Sequence, residues 1–227
     1  MISYRRNTMQ TLYLTKVPVH SLLNRQVSNG NKTWDINSPR FRHRAVMGLF
    51  GELGQSPRQS NSILFRLDRV PGQTPFFLVQ SDIQPTNIAD VDGVETRELG
   101  QVPGAGQTVV FRIAVNAIRR KTIEEAGRKK TRTSSVPYDH DEGARARGET
   151  ALTPWLENKL AGALTQMQVT NHVRDVLRES KKGMALQVDT IDGVGVVDDP
   201  ETLAHLIHAG VGREKSYGCG LLSVRPV

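Results

Sequence analysis

Apolar and polar side chains alternate along the first segment of the chain that carries a clear pattern. Residues 11–19 (TLYLTKVPV) have this period of two, which is typical of a strand with one buried face. Ser38 followed by Pro39 predicts the start of a helix, because serine caps a first turn and proline suits the first helical position. Apolar residues then recur at the three- and four-residue spacing of a helix, at Ala45, Val46, Leu49, Phe50 and Leu53.

Two strands and a second helix complete the first half of the chain. Residues 62–68 and 75–81 predict strands joined by a turn at Pro71-Gly72, as in a hairpin. Residues 85–91 predict a short helix. The order of elements is therefore strand, helix, strand, strand, helix.

The same order of elements recurs after a turn-rich linker at residues 99–107. Residues 108–116 (TVVFRIAVN) predict a strand, and residues 184–191 and 194–197 predict two more. An amphipathic helix between them is predicted from its apolar positions, Trp155, Leu156, Leu160, Ala163 and Leu164.

The last predicted helix begins at Asp199 and Pro200, which form a cap and a first turn. The two halves therefore repeat one order of elements. We predict an α+β protein of two tandem ferredoxin-like (RRM-like) βαββαβ domains, at residues 1–104 and 105–227.

Composition and charge narrow the class of protein. The 227 residues are enough for a sizeable core, and 30 Lys and Arg against 23 Asp and Glu leave a formal charge of +7, which favours nucleic acid as partner. A single cysteine excludes an internal disulfide and a cysteine-rich zinc site, so we expect a cytoplasmic protein. Residues 1–10 lack a signal-peptide core, and no apolar run approaches the ~20 residues that span a bilayer, so we expect no membrane contact.

His43 is the histidine whose neighbours point to chemistry. It lies at the edge of the apolar stripe of the first predicted helix, beside Arg40 and Arg44. Two guanidinium groups disfavour an imidazolium between them, which leaves a neutral ring able to accept a proton. The same arginines can hold a phosphate. The alternative is a boundary histidine that only covers the core.

Two other polar groups are less specific. His205 and His208 have a spacing that can serve a metal, but no further ligands accompany them, so a solvated helix face is favoured. Residues 139–142 (DHDE) lack the spacing of a calcium site, and a solvated run of charge is favoured there too.

Most of the net positive charge lies in residues 112–132, which hold eight basic side chains and two glutamates. Such a segment would contact nucleic-acid phosphates, and its few apolar residues predict that it becomes ordered only on binding. A merely solubilising loop is the alternative. The basic residues are Arg112, Arg119, Arg120, Lys121, Arg128, Lys129, Lys130 and Arg132.

Residues 210–223 (GVGREKSYGCGLLS) form a glycine-rich segment that also carries Arg213 and Lys215. It follows a helix and precedes a strand, so it is neither a P-loop nor a dinucleotide-binding loop. Its glycines permit close approach of the backbone to a partner. They are Gly210, Gly212, Gly218 and Gly220.

This segment, together with residues 111–121 (FRIAVNAIRRK), the opening TLYLTKV and His43, resembles the CasE-type CRISPR RNA-processing endoribonucleases of the Cascade complex. The resemblance runs in order through residues 11–227. It implies two ferredoxin-like folds that recognise the repeat hairpin of precursor CRISPR RNA. It also implies metal-independent cleavage at the base of the hairpin without a cofactor, and retention of the mature product inside Cascade beside its other subunits.

The resemblance also implies roles for particular residues. The 2′-hydroxyl of the RNA attacks the adjacent phosphate, with His43 as the catalytic base and Arg40 and Arg44 around that phosphate. The family carries a tyrosine where this chain has Arg40, and arginine is a poor proton donor, so Tyr13 and Lys215 become the first candidates for the general acid.

RNA phosphates are expected on the basic segment and on Arg213 and Lys215. Shape and phosphate spacing should dominate recognition of an A-form stem. The competing hypothesis is a non-catalytic tandem RRM-like RNA-binding subunit.

Overall fold

Two four-stranded antiparallel sheets, one from each half of the chain, form the frame of the molecule. The computed structural model describes residues 11–22, 35–53, 57–125, 128–179 and 185–227. The first half contributes β1 (Tyr13–Pro18), β2 (Leu64–Asp68), β3 (Phe76–Ser81) and β4 (Glu95–Glu98). They lie in the order β2-β3-β1-β4.

The second half builds a sheet of the same topology and adds a hairpin. Its strands are β5 (Thr108–Val115), β6 (Ile118–Glu125), β7 (Arg128–Ser135), β8 (Leu164–Arg178), β9 (Ala185–Val197) and β10 (Leu222–Pro226). The sheet has the order β10-β5-β9-β8, while β6 and β7 pair with each other. In both sheets the first and third strands are central and the second and fourth lie at the edges, as a ferredoxin-like βαββαβ path requires. The predicted fold class is confirmed.

The helices are short and lie between the strands of each unit. They are α1 (Pro39–Met47), α2 (Pro57–Ser60), α3 (Glu142–Ala146), α4 (Leu152–Lys159) and α5 (Pro200–Ala209), with 3₁₀ turns at Gly48–Phe50 and Lys215–Tyr217 and a helical turn at residues 19–22. Both predicted caps are confirmed. The Ser38 hydroxyl accepts from the Phe41 amide at 3.2 Å, and the Asp199 carboxylate accepts from the Thr202 amide at 2.9 Å.

Each sheet buries one face against its own apolar cluster. Phe65, Phe77 and Leu49 are among the core of the first unit, and Ile113 and Leu156 are among that of the second. A third, smaller cluster joins Ala114, Leu177, Leu186, Val188 and Cys219, with Tyr217 of the second 3₁₀ turn packed against it. The glycine-rich segment is therefore part of the packed interior of the protein.

The helix predicted at residues 85–91 is wrong. This stretch has no helix, because polar groups of Thr86 and Asn87 bond to the 3₁₀ turn Gly48–Phe50 that follows α1. The Asn87 amide donates to the Leu49 carbonyl at 2.9 Å, and the Thr86 hydroxyl donates to the Phe50 carbonyl at 3.1 Å. The carbonyls that the 3₁₀ turn leaves unpaired are satisfied in this way.

The strand β8 was not predicted, and the helix before it ends earlier than expected. α4 stops at Lys159, so Ala163 and Leu164 lie beyond it. β8 is an edge strand with two register shifts against β9, and these break the alternation that sequence reading looks for. The two strands predicted over 184–197 are one continuous strand from Ala185 onward, and residue 184 lies outside the described part of the chain.

The basic segment predicted to become ordered only on binding forms, from residue 118, the paired strands β6 and β7, so that expectation is wrong; Arg112 lies on β5. Its two strands pair from Ile118↔Ser135 to Glu125↔Arg128. The root of the hairpin is fixed by the buried carboxylate of Asp189, which accepts from the Ala117 amide at 3.1 Å. Arg174 bonds the same carboxylate at 2.6 Å and donates to the Val136 carbonyl at 2.8 Å. The hairpin is thus anchored at its root on both strands.

Candidate functional site

His43 lies where the two units meet. It is half-buried on α1, between the buried Arg42 and the exposed Arg44. Its Nδ1 atom is 2.9 Å from the carbonyl oxygen of Ser216, which belongs to the 3₁₀ turn of the glycine-rich segment. The ring also meets the Tyr217 ring edge-on, with 6.2 Å between centroids. The histidine comes from the first unit, and its contacts come from the second.

The Ser216 contact sets the tautomer of His43. A carbonyl oxygen can only accept a hydrogen bond, so Nδ1 carries the proton and donates it. In the neutral ring the lone pair that remains is then on Nε2. The second unit therefore leaves Nε2 as the nitrogen able to accept a proton.

Arg42, the residue before His43 on α1, is buried although it is an arginine. Its Nε donates to the Ile36 carbonyl at 2.7 Å, and the side chain is buried. Burial, and secondarily the nearby guanidinium of Arg69, lower the pKa of Arg42 to about 10. The burial of this arginine was not predicted, because a sequence pattern does not show an arginine on the buried face of a helix.

Arg40 and Arg44, the two arginines predicted to flank His43, are both exposed, and Arg40 contacts a carboxylate. Arg40 is 65% exposed, and its Nε lies 3.1 Å from Glu179, at the end of β8. Arg44 is exposed. Their place beside a phosphate stays a prediction.

Tyr13 and Lys215 are the predicted candidates for the general acid, and the structure adds Tyr217. Tyr13 is half-buried at the start of β1, where its backbone pairs with Ser81 and Glu98. Lys215 is in the same 3₁₀ turn as Ser216, but its Nζ donates to the Ala209 carbonyl at 2.6 Å. Tyr217, which sequence reading did not single out, is the phenol that touches His43. The signal that could have found it is its place inside the glycine-rich segment.

The glycine-rich segment packs between the units. Gly210 lies against Leu64 of β2, and Gly218 lies against the Phe65 ring. Gly220 donates its amide to the Ala114 carbonyl at 2.6 Å and is buried, whereas Gly212 is exposed. Three of the four predicted glycines therefore stand where the backbone of one unit is in close contact with the other unit or with β5.

Polar groups also join the two units next to the site. Arg66 is 4% exposed; it pairs with Asp68 at 2.7 Å and donates to the Ser223 hydroxyl at 2.8 Å. Gln80 donates to the Ile207 carbonyl at 2.7 Å. These bonds keep β2 and β3 in a fixed position against the second unit, which in turn keeps His43 at Ser216.

The expectation of a solvated face is confirmed for the exposed His205, whereas the His208 side chain is only partly solvated, at 39% exposure. His208 Nε2 lies 3.0 Å from the Asp82 carboxylate and thus bridges the two units.

The acidic run has a structural role. Asp139 accepts from the amide and hydroxyl of Thr153, both at 2.8 Å, and Asp141 caps α3. Among the described residues, no group of three side chains is arranged to hold a metal ion.

Two of the predicted RNA-binding arginines, Arg112 and Arg119, are each paired with a carboxylate. Arg112 bonds Asp192 through two nitrogens, at 2.5 and 3.0 Å, and this hydrogen bond raises the pKa of Arg112. Arg119 lies 3.0 Å from Glu149. The exposed basic residues are Arg120, Lys129, Lys130, Arg132 and Arg213. The side chains of Lys121 and Arg128 lie outside what the structure describes.

In the stretches that the structure describes, no helix is long and apolar enough to cross a membrane.

Comparison with known proteins gives a family and a shared fold. The model of the family described as CRISPR associated protein matches residues 12–226. The CRISPR system Cascade subunit CasE of Escherichia coli K12 is 25% identical over 199 residues, which cover 83% of this chain and 94% of that protein. The structure of Cas6e from Escherichia coli K-12 has a TM-score of 0.64 at 21% identity, covering 95% of this chain and 100% of the other. Thermus thermophilus Cse3, bound to an RNA representing a pre-cleavage complex, has a TM-score of 0.64 at 22% identity over the same shares.

Proposed function

Because the chain belongs to the family of CRISPR-associated proteins, we propose that it is an endoribonuclease that cuts the repeat hairpin of precursor CRISPR RNA. The observation that carries the proposal is the contact between His43 and the Ser216 carbonyl, which leaves a basic nitrogen on the surface where the units meet. The relatives support the substrate, since one is a Cascade subunit and another is bound to RNA. We propose the same assembly for this chain, with other Cascade subunits and the repeat hairpin as its partners.

The reaction requires one group to take a proton and another to give one. In our proposal, His43 Nε2 removes the proton of the ribose 2′-hydroxyl, and the resulting oxygen attacks the adjacent phosphorus while the 5′-oxygen leaves. Arg44, the exposed cation that follows His43 on α1, stabilises the charge that develops on the non-bridging oxygens. Arg40 joins it by exchanging its exposed contact with Glu179 for the phosphate. No step in this route uses a metal ion.

We propose Tyr217 as the group that protonates the leaving oxygen. It is a hydroxyl-bearing side chain in contact with His43, and it takes the role of the tyrosine that Arg40 replaces. Lys215 fits less well, because its ammonium already donates to Ala209 and lines a small pocket with Ser62 and His208. Residues 1–104 would then supply the base, and residues 105–227 the acid and the RNA-binding surface.

The test is cleavage of the host's own repeat hairpin by the purified protein in EDTA. We expect a product with a 2′,3′-cyclic phosphate end, and no cleavage of an RNA that lacks the 2′-hydroxyl at the cut. His43→Ala should lower the rate about 10²- to 10⁴-fold, which is the usual contribution of a general base. His205→Ala, an exposed histidine on α5, is the matched control and should leave the rate unchanged.

Four results would contradict the proposal in part or in whole. Cleavage that requires a divalent metal would exclude the metal-independent route. Unchanged cleavage by His43→Ala would exclude His43 as the base, and unchanged cleavage by Tyr217→Phe would move the acid to another group. A wild-type protein that binds the hairpin and never cuts it would be the non-catalytic RNA-binding subunit.

A further inference from the structure

The arginines of this protein fall into two classes, and the difference points to a ligand. Many are neutralised within the chain by a carboxylate a few ångströms away. These pairs are Arg40–Glu179, Arg66–Asp68, Arg69–Asp175, Arg112–Asp192, Arg119–Glu149, Arg147–Glu149 and Arg174–Asp189. A paired guanidinium has its charge and donors engaged, so it is a poor first contact for an external phosphate.

Three cations without such a partner converge on one groove. Arg120 of β6, Lys159 at the end of α4 and Arg213 of the glycine-rich segment line it, and none of them has a carboxylate partner among the described residues. The groove has a volume of about 220 Å³ and no acidic side chain in its lining. Its other lining residues are Asn116, Ile118, Trp155 and Gly212. We call it the basic groove.

The walls of the basic groove fix two of its lining side chains, Lys159 and Asn116. The Lys159 ammonium lies over the Trp155 ring, 5.5 Å from its centroid, an arrangement that a cation–π attraction favours. Asn116 is fixed by donation to the Gln187 carbonyl at 2.7 Å. Three positive charges held close together repel one another, and an anion bound between them removes that repulsion.

Arg213 links the basic groove to the surroundings of His43, the proposed catalytic histidine. Arg213 precedes Ser216, the residue that bonds His43, by three positions. Three residues span at most roughly 11 Å even when fully extended, so the Cα atoms of Arg213 and Ser216 are no farther apart than that. A phosphate in the groove would therefore belong to RNA close to the cut and not to the distant loop of the hairpin.

We propose that the basic groove is a phosphate-binding subsite that holds the RNA backbone next to the scissile linkage; this rests on the proposed function and adds Lys159 to the RNA contacts. Arg120, Lys159 and Arg213 act together there as an anion clamp. Paired arginines such as Arg112 and Arg119 hold the protein together and contribute less to binding.

The first test measures binding of a repeat hairpin that carries a 2′-deoxynucleotide at the cut, by fluorescence anisotropy over a series of salt concentrations. Arg120→Gln, Lys159→Gln and Arg213→Gln should each weaken binding and reduce the slope of log affinity against log salt by about 0.7 to 0.9, the effect of one lost phosphate contact. Arg213→Lys, which keeps the charge, should retain the slope. Lys16→Gln is the matched control, because Lys16 also lies over an aromatic ring, Phe76, but outside the groove.

The second test locates the phosphate. Hairpins with a single uncharged methylphosphonate linkage, moved stepwise along the RNA, are bound to the wild type and to Lys159→Gln. A neutral linkage beside the cut should make the two proteins bind equally, whereas one in the loop should preserve the difference.

The results separate failure of this inference from failure of the proposed function. If the wild type cleaves the hairpin but the three glutamine variants keep its affinity and salt slope, the subsite is wrong and the endoribonuclease stands. Equal binding produced only by a linkage in the loop would also overturn the placement of the phosphate. If the wild type neither binds nor cleaves, the function itself fails. Thermal unfolding at the wild-type temperature is expected for each variant, since these side chains lie in an open groove.

Discussion

Arg66→Met should loosen the joint between the two units that presents His43 to Ser216. Arg66 and Asp68 are each 4% exposed and form an ion pair at 2.7 Å. Arg66 also donates across the joint to the Ser223 hydroxyl at 2.8 Å and to the Arg112 carbonyl at 3.2 Å. Methionine keeps much of the volume but removes the charge and every one of these donors.

The cost follows from what the substitution leaves behind. Removing one partner of a buried ion pair strands the other charge, which typically costs about 3–5 kcal/mol. We expect the lower part of that range, because Arg112 Nη1 remains 3.8 Å from the Asp68 carboxylate and offsets some of the stranded charge. For a chain of this length, each kcal/mol lowers Tm by about 2–4 °C, so a fall of roughly 6–12 °C is expected.

The assay is thermal and denaturant unfolding of the wild type, Arg66→Met, and Arg66→Met with Asp68→Asn. The double variant should recover about 1–2 kcal/mol, because the stranded charge is gone while the hydrogen bonds remain lost. Arg69→Met is the matched control: Arg69 also joins the units, through Asp175 at 2.9 Å, but it is 46% exposed. An exposed pair contributes about 0–1 kcal/mol.

Either of two outcomes would refute this reasoning. One is an Arg66→Met protein within 1 kcal/mol of the wild type; the other is a double variant that is no more stable than the single one. Cleavage measured below the unfolding transition supplies the functional readout. It should be slower in Arg66→Met than in Arg69→Met, since of these two arginines only Arg66 forms a buried pair at the joint.

Two further predictions concern the anchor of the hairpin and the glycine-rich segment. Burial acts to raise the pKa of Asp189, but hydrogen bonds from His172, Gln187 and Arg174 outweigh it and hold that pKa below its usual value. The stability that Asp189 contributes is therefore present above about pH 4, the ordinary pKa of an aspartate, and is lost as the pH falls further. Acid unfolding followed by circular dichroism should show this loss in the wild type. The loss should be shallower in Asp189→Asn. Gly210→Ala should be less stable in urea than Gly212→Ala. Both positions have a positive φ, which costs alanine about 1–2 kcal/mol. Only at Gly210 would the new Cβ come within 2.8 Å of Leu64, and this overpacking adds about 1–3 kcal/mol. Equal stability of the two glycine variants would show that the contact relaxes freely.

Elements that are fixed by local chemistry were predictable from the sequence. The cap at Ser38, the proline after it and the cap at Asp199 each act within four residues, and both helices begin where these residues indicate. The strands β1 and β5 have one buried and one more exposed face, so their alternation is visible in the chain. The repeat of element order was enough to give the fold class.

Elements that depend on distant partners were not predictable. β8 exists because β9 supplies its hydrogen bonds, and the two register shifts between them remove the period of two. The hairpin of β6 and β7 has few apolar residues of its own, but Asp189 and Arg174, far away in sequence, anchor its root. Composition correctly indicated high charge there and wrongly indicated disorder, since a hairpin needs backbone pairing and not a core of its own.

The candidate site shows the same division. The place of His43 at the edge of an amphipathic helix was readable, because it depends on helical periodicity alone. Ser216, its hydrogen-bond partner, lies 173 residues away, and its contribution is a backbone carbonyl that any residue would supply. Such a partner has no signature in the side-chain sequence. Glycines and basic residues could mark the segment as special without showing what it touches.

The joint between the units therefore has a direct chemical role in our proposal. Neither unit holds the site alone, since the first carries the imidazole while the second carries the carbonyl that fixes its tautomer and the ring of Tyr217. Any motion of one unit against the other changes the Nδ1 contact, and with it the nitrogen available to take a proton. The buried bonds from Arg66 and Gln80 restrict that motion. The basic groove lies on the second unit, so RNA bound there reaches His43 Nε2 in a productive position only while the two units stay in contact. Substitutions in the groove should therefore weaken binding, whereas substitutions at the joint should slow cleavage.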